Sequence, residues 1–206
     1  MALTLYGSPQ SRALRVMWMA AELGLDFESE PISWTDPALK QPGFLRINPA
    51  GRIPAIDDDG FVLSESLAIN LYLARKHGSA LYPNSLQDEA RTWSWTLWAV
   101  FDLEAPLESL RRHRAWLPAD EREPAVADEA ETRVNAALAT LDAALQGRAY
   151  LLGDSFGVAD LNVACVLSPS RTVFLDLSPW TNVRGWLARC QDRPAWRATR
   201  LRLQAA

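Results

Sequence analysis

Cysteine and histidine are scarce in this chain of 206 residues, which has two of each. Cys165 and Cys190 form no Cys-x-x-Cys pair, and with His77 and His113 they give no metal-ligand spacing, so no zinc site is expected. They offer no disulfide framework either, which suits a reducing, cytoplasmic setting. No apolar run approaches the ~20 residues of a membrane span. The opening Met1-Ala2-Leu3-Thr4-Leu5-Tyr6 lacks the basic region of a signal peptide. Basic residues are not in excess: the formal charge is -4, and a nucleic-acid footprint needs a clustered basic face. Arg189, Arg193, Arg197, Arg200 and Arg202 are a local exception. With Asp192 among them they read as a solvated helix face. No internal repeat and no low-complexity segment is present.

What is present falls into two halves. Residues 1–78 alternate in type. Leu3–Tyr6 reads as a strand, and residues 11–24 as a helix with Leu14, Met17, Trp18 and Ala21 on one face, stopped by Gly24. Phe27–Ile32 alternates as a strand. Residues 42–47 hold at most a short helix. Ala55–Asp57 and Phe61–Ser64 are strands joined across Asp59-Gly60, a hairpin signal. Residues 65–77 are helical. Residues 79–86 carry turn formers and read as a linker. From 87 to 206 no strand pattern appears. Helices are expected over 87–113, 124–146, 158–168, 180–191 and 194–203, with Val134, Leu138, Leu141 and Leu145 as one stripe and Pro179 and Pro194 as boundaries. The fold class is therefore α/β plus all-α, and the β-α-β-α-β-β-α order of the first half resembles the thioredoxin-like arrangement.

The most telling stretch is Arg52-Ile53-Pro54-Ala55-Ile56, followed by Ser64-Glu65-Ser66. Proline is tolerated at the head of a strand, where no ladder hydrogen bond is needed. A cis Ile53–Pro54 bond would turn the N–H and C=O of Ile53 toward a ligand instead of a neighbouring strand. The helix beginning near Glu65 aims unpaired N–H groups at the same spot, which favours a carboxylate. Together these features resemble the glutathione site of the cytosolic glutathione transferases, and the layout of a thioredoxin-like domain (1–78) followed by a helical domain (87–206) resembles that family over the whole chain. Gly153-Asp154-Ser155-Phe156-Gly157-Val158-Ala159-Asp160-Leu161 is similar to the family's helix-capping segment, with Gly157 where a hydroxyl residue is usual.

The resemblance implies a chemistry. A glutathione thiol with a pKa near the cysteine value of about 8.5 must be held as thiolate at neutral pH. A hydroxyl donor at the start of the first helix can do this, helped by the helix dipole. Tyr6-Gly7-Ser8-Pro9-Gln10-Ser11-Arg12 offers three hydroxyls. Ser11, before the Arg15-Val16 pair, resembles the catalytic serine of serine-type members. Ser8 and Tyr6 are the alternatives, and a plain capping role for Ser11 is another. Thioredoxins and glutaredoxins carry a reactive cysteine here. This chain has none, which argues against disulfide exchange by a protein thiol.

The resemblance further implies that Ile53 pairs with the cysteinyl backbone, Ser66 with the γ-glutamyl carboxylate and Glu65 with its ammonium. Arg52 would meet the glycyl carboxylate, with Lys40 and Gln41 as alternatives. A flat apolar electrophile would lie against the long helix, where Trp98 and Phe101 share a face at i, i+3 and Trp93, Trp95 and Trp116 are near. Helix 65–77 is apolar on more than one side, so a homodimer is expected, with Asp102 reaching the partner's glutathione. No metal or organic cofactor is implied; glutathione is a cosubstrate. The expected function is transfer of glutathione to apolar electrophiles. A non-catalytic binding protein of the same fold, or a glutathione-dependent isomerase or dehalogenase, are the alternatives.

Overall fold

The computed structural model describes residues 3–78, 80–168 and 175–204. Ser79 of the expected linker lies outside them. Two compact units form, Met1–Tyr82 with Asp192–Ala206, and Pro83–Gln191.

The first unit begins with β1 (Leu3–Tyr6), α1 (Ala13–Leu23) and β2 (Glu28–Glu30). A 3-10 turn over Pro37–Lys40 and α2 (Pro42–Leu45) lead to β3 (Ala55–Asp58), β4 (Phe61–Ser64) and α3 (Ser66–Lys76). The sheet order is β2-β1-β3-β4. β1 and β2 are parallel, and the other two pairings are antiparallel. Leu5 faces Ile56 in register, and with Leu3 they are buried on one side, while Tyr6 turns to the other as strand alternation requires. Asp59 and Gly60 both take positive φ, 52° and 90°, as a tight primed hairpin turn needs. α1 starts two residues later than its apolar period suggests, because Ser8–Arg12 form turns first. It ends at Gly24, φ 64°, with Leu25 N–H donating to Ala20 C=O.

The second unit holds α4 (Leu86–Trp98), a π-helical segment Ala99–Glu104, α5 (Ala105–Arg111), a π-helical turn Arg112–Trp116, α6 (Pro124–Ala144), α7 (Val158–Val166) and α8 (Thr181–Gln191). The single helix expected over 87–113 is thus interrupted. Val134, Leu138, Leu141 and Leu145 are all buried, as their stripe predicts. Every residue of α7 is buried. Its entry is built on Asp160, whose carboxylate accepts from Leu151 N–H (2.9 Å), Gly157 N–H (3.1 Å) and the Trp186 indole N–H (2.8 Å). Gly157 has no side chain to return a bond, so only the Asp160 half of the capping box exists. Burial pushes the Asp160 carboxyl above its ordinary range, against the pull of these donors.

The last helix, α9 (Pro194–Gln204), corrects two expectations. Sequence order assigns it to the helical domain of 87–206, but it packs on α1 in the first unit. Trp18 and Trp196 are both buried, with ring centroids 4.5 Å apart. Arg193 grips the carboxylate of Glu22 with two bonds of 2.7 Å, and Glu22 also accepts from the Trp18 indole N–H. The terminal arginines are therefore not one solvated face. Arg193 neutralises a carboxylate that is only 4% exposed, Arg202 lies over the Phe27 ring, and Arg197 pairs with Asp192 at the surface.

Candidate active site

Three pieces of the first unit meet around the stretches singled out above. The first is the turn between β1 and α1. Gly7 has φ 135°, and a Cβ there would sit 2.9 Å from Ala13 Cβ and 3.3 Å from Ile53 Cβ. Only glycine lets the turn and the 53–54 loop approach so closely. Ser8 N–H donates to Ile32 C=O. The Ser8 carbonyl accepts twice, from Ser11 N–H (3.0 Å) and from the Ser11 hydroxyl (2.7 Å). Ser11 Oγ in turn accepts from Ala13 N–H (3.1 Å). Ser11 thus caps the first turn of α1 with its oxygen while its proton rests on a carbonyl that has a second donor. Turning that proton toward a ligand leaves the Ser8 carbonyl satisfied, so capping and ligand donation are compatible.

Tyr6 has a different setting. Its ring meets Phe44 of α2 edge-on at 6.1 Å. Burial raises its hydroxyl pKa, and Asp57 and Glu30 push it further up. It belongs to the α2 side of the sheet, away from the Leu5 face.

The second piece is the loop 48–54. Asn48, buried, donates through its amide to Arg52 C=O (2.7 Å) and accepts from Ala50 N–H (3.1 Å). The Lys40 ammonium donates to the carbonyls of Ala50 (3.2 Å) and Gly51 (3.0 Å). Gly51 has φ 60°, and a Cβ there would lie 2.7 Å from Leu39 C=O. Lys40 is therefore a brace for this loop, and Asn48 is a second brace that the sequence reading missed. The Asn48-Pro49-Ala50-Gly51 turn signal was the available clue. Arg52 and Gln41 are exposed. The Ile53–Pro54 bond is cis. The peptide N–H and C=O of Ile53 bond to none of the described residues.

The third piece is the start of α3. Glu65 is exposed and adopts φ 70°, ψ 106°. Such a conformation costs a non-glycine residue about 1–3 kcal/mol and clusters at ligand sites. It carries the chain so that Ser66 becomes the first helical residue, 4% exposed, with no side chain capping α3. The Arg15 guanidinium, also 4% exposed, approaches Ser66 Oγ at 3.5 Å.

Known proteins resemble this chain in sequence and in fold. The family model of the glutathione S-transferase N-terminal domain matches residues 1–75, and that of the C-terminal domain matches residues 124–189. Glutathione S-transferase D7 of Drosophila melanogaster is 34% identical over 204 residues, 94% of this chain and 87% of that protein. Glutathione S-transferase 3 of Zea mays is 34% identical over 96% of this chain and 92% of its own length. The chain belongs to the glutathione S-transferase family. It is a transferase, with the family's thioredoxin-like domain and all-helical domain. The theta class enzyme of Xanthomonas axonopodis pv. citri, solved with glutathione bound, superposes with TM-score 0.86 at 27% identity over 96% of each chain. A glutathione S-transferase-I bound with lactoylglutathione superposes with TM-score 0.84 at 28% identity, covering 97% of this chain and 99% of that one.

In the helical unit of this transferase, the aromatic residues differ in exposure. Trp98 is half-buried and packs edge-on against Trp95 at 5.1 Å, whereas Phe101 is 65% exposed. A π-helical segment, Ala99–Glu104, begins between Trp98 and Phe101. Asp102, in the same segment, is exposed. Trp116 is exposed under the guanidinium of Arg111, 4.5 Å from its ring. The reason given for a partner subunit also changes. Leu67, Ile69, Leu71 and Leu73 of α3 are all buried within the single chain, so the apolar side left to cover is the half-buried Tyr72 with the exposed Phe61 ring 4.9 Å away. No helix among the described residues is long and apolar enough to cross a membrane.

Proposed function

We propose that this transferase binds glutathione across the three pieces of its first unit, with Ser11 as the hydrogen-bond donor to the thiolate. The peptide groups of Ile53, which follow Arg52 and precede Pro54, pair with the cysteinyl backbone in the manner of an added strand. Ser66 and the α3 terminus take the γ-glutamyl carboxylate, Glu65 faces the adjoining ammonium, and Arg52 meets the glycyl carboxylate. The thiol proton leaves to solvent. The thiolate then attacks the electrophilic carbon of an apolar small molecule, forming the carbon–sulfur bond as the leaving group departs with its electron pair. One hydrogen bond to a charged sulfur is worth about 1.5–3 kcal/mol. That lowers a thiol pKa by roughly one to two units, and 1.36 kcal/mol is one unit.

The observation that carries this reading is the Ser11 hydroxyl proton, held on a carbonyl that a second donor also satisfies. The test is turnover of Ser11→Ala with glutathione and an aromatic halide. A fall of about ten- to a thousandfold, the range for losing one oxyanion donor, is expected. Ser8→Ala causing the fall in its place would move the role to Ser8.

The electrophile lies against the α4 region with Trp98 and Phe101. Exposed Trp93, Leu97, Val100 and Phe101 support an apolar surface there and a homodimer that covers part of it, with Asp102 directed to the partner's glutathione. Both cysteines are buried and neither is in a disulfide, which supports a cytoplasmic location.

A further inference from the structure

We infer that Arg15 is a positioning residue of the glutathione site, fixing the Ser66 hydroxyl so that its proton points to the ligand's γ-glutamyl carboxylate. This rests on the glutathione reading above. The contact joins two helices: Arg15 lies in the first turn of α1, and Ser66 opens α3. Its 3.5 Å length is the long end of a hydrogen bond. A guanidinium has five donors and no acceptor. In this contact the Ser66 oxygen therefore accepts, and the Ser66 proton cannot return to Arg15.

Inside a helix such a proton commonly goes to the carbonyl four residues back. For Ser66 that position is Val62 of β4, before the helix begins. Among the described residues the Ser66 hydroxyl donates to nothing. A hydroxyl proton without a protein acceptor, on a residue that is 4% exposed, is a site for an anionic oxygen. The positive end of α3 and the charge of Arg15 favour a carboxylate over a neutral acceptor. With the guanidinium on its lone pair, the hydroxyl is fixed as a donor. Without it the hydroxyl is free to rotate, and in some rotamers its lone pairs face the carboxylate. Arg15 thus acts through Ser66.

The test compares two peptides by calorimetry: glutathione, and 4-aminobutyryl-cysteinylglycine, which lacks only the γ-glutamyl α-carboxylate. Wild-type protein is expected to prefer glutathione by about ten- to a hundredfold, the worth of a hydrogen bond to a charged group. In Arg15→Lys and in Ser66→Ala the preference should fall by about fivefold or more, while affinity for the truncated peptide stays within about twofold. A purely structural role would weaken both peptides together and leave their ratio alone. An unchanged ratio in Arg15→Lys overturns the inference. Should that variant not fold, an unchanged ratio in Ser66→Ala overturns it equally, because Arg15 would then have nothing to act through. Wild-type protein that binds neither peptide would instead overturn the glutathione reading itself.

Discussion

Asp160 holds three N–H donors in a site with no solvent exposure. Replacing it with alanine leaves the Leu151 and Gly157 amides and the Trp186 indole without their acceptor. Each buried donor so abandoned costs about 1–3 kcal/mol. Some of this is returned, because the burial that pushes the Asp160 carboxyl up is a penalty the variant no longer carries. A net loss of roughly 3–6 kcal/mol follows, which at about two to four degrees per kcal/mol lowers the melting midpoint by about 6–24 °C. Asp160→Asn separates geometry from charge. The leucine and indole donors share Oδ1, and only Gly157 uses Oδ2. An amide placed with its oxygen at Oδ1 keeps two bonds and loses one, so its cost should be about 1–2 kcal/mol. Denaturant unfolding followed by circular dichroism measures both. Equal losses in the two variants, or a loss under about 1 kcal/mol in Asp160→Ala, would refute the reasoning.

Three further outcomes are expected. Burial would raise the Asp58 carboxyl, but hydrogen bonds from Lys76 (2.5 Å) and Tyr72 (2.7 Å) outweigh it and hold the pKa below the ordinary value. Its contribution to stability is therefore present above the unfolded pKa of about 3.9 and is lost as pH falls through the lower folded value. Asp58→Asn should flatten the acid limb of the unfolding midpoint against pH, and parallel curves for variant and wild type would contradict this. Trp196→Ala should cost about 3–5 kcal/mol from packing alone, because its indole N–H has no partner among the described residues to lose. Hydrogen exchange should rise in α1 and α9 together, and a change confined to α9 would count against their packing as one layer. Sedimentation at micromolar concentration should give a dimer, and a single 22.9 kDa species would remove the partner role proposed for Asp102.

Much of the first unit is legible in the sequence because its signals are local. Leu3 and Leu5 alternate with polar neighbours, Asp59-Gly60 names its own turn, and Gly24 stops α1. The start of α1 is misread by two residues because Ser11 satisfies the helix from outside it. The π-helical segment at Ala99–Glu104 has no mark in the sequence: it arises where Leu103 and Glu104 are drawn into the interior, and that depends on packing. The place of α9 is equally hidden. Its amphipathic face says that Trp196 is buried, but not that Trp18 and Glu22, about 170 residues earlier, are what it packs against. For the candidate site, Ser11, Ile53, Glu65 and Ser66 are singled out in the sequence by their resemblance to family motifs. Asn48, Lys40 and Arg15 act by bracing other residues, and bracing partners become visible only when the chain is folded.

The central claim is that the Ser11 hydroxyl holds the glutathione thiolate. Its most direct test is the ultraviolet thiolate absorbance of enzyme-bound glutathione, titrated against pH in wild type and Ser11→Ala. The account predicts a wild-type thiol pKa about one to two units below the free value of ~8.5. It predicts a return toward that value in Ser11→Ala, with glutathione affinity little changed. Wild type and Ser11→Ala titrating together, or Ser8→Ala alone moving the curve, would contradict it.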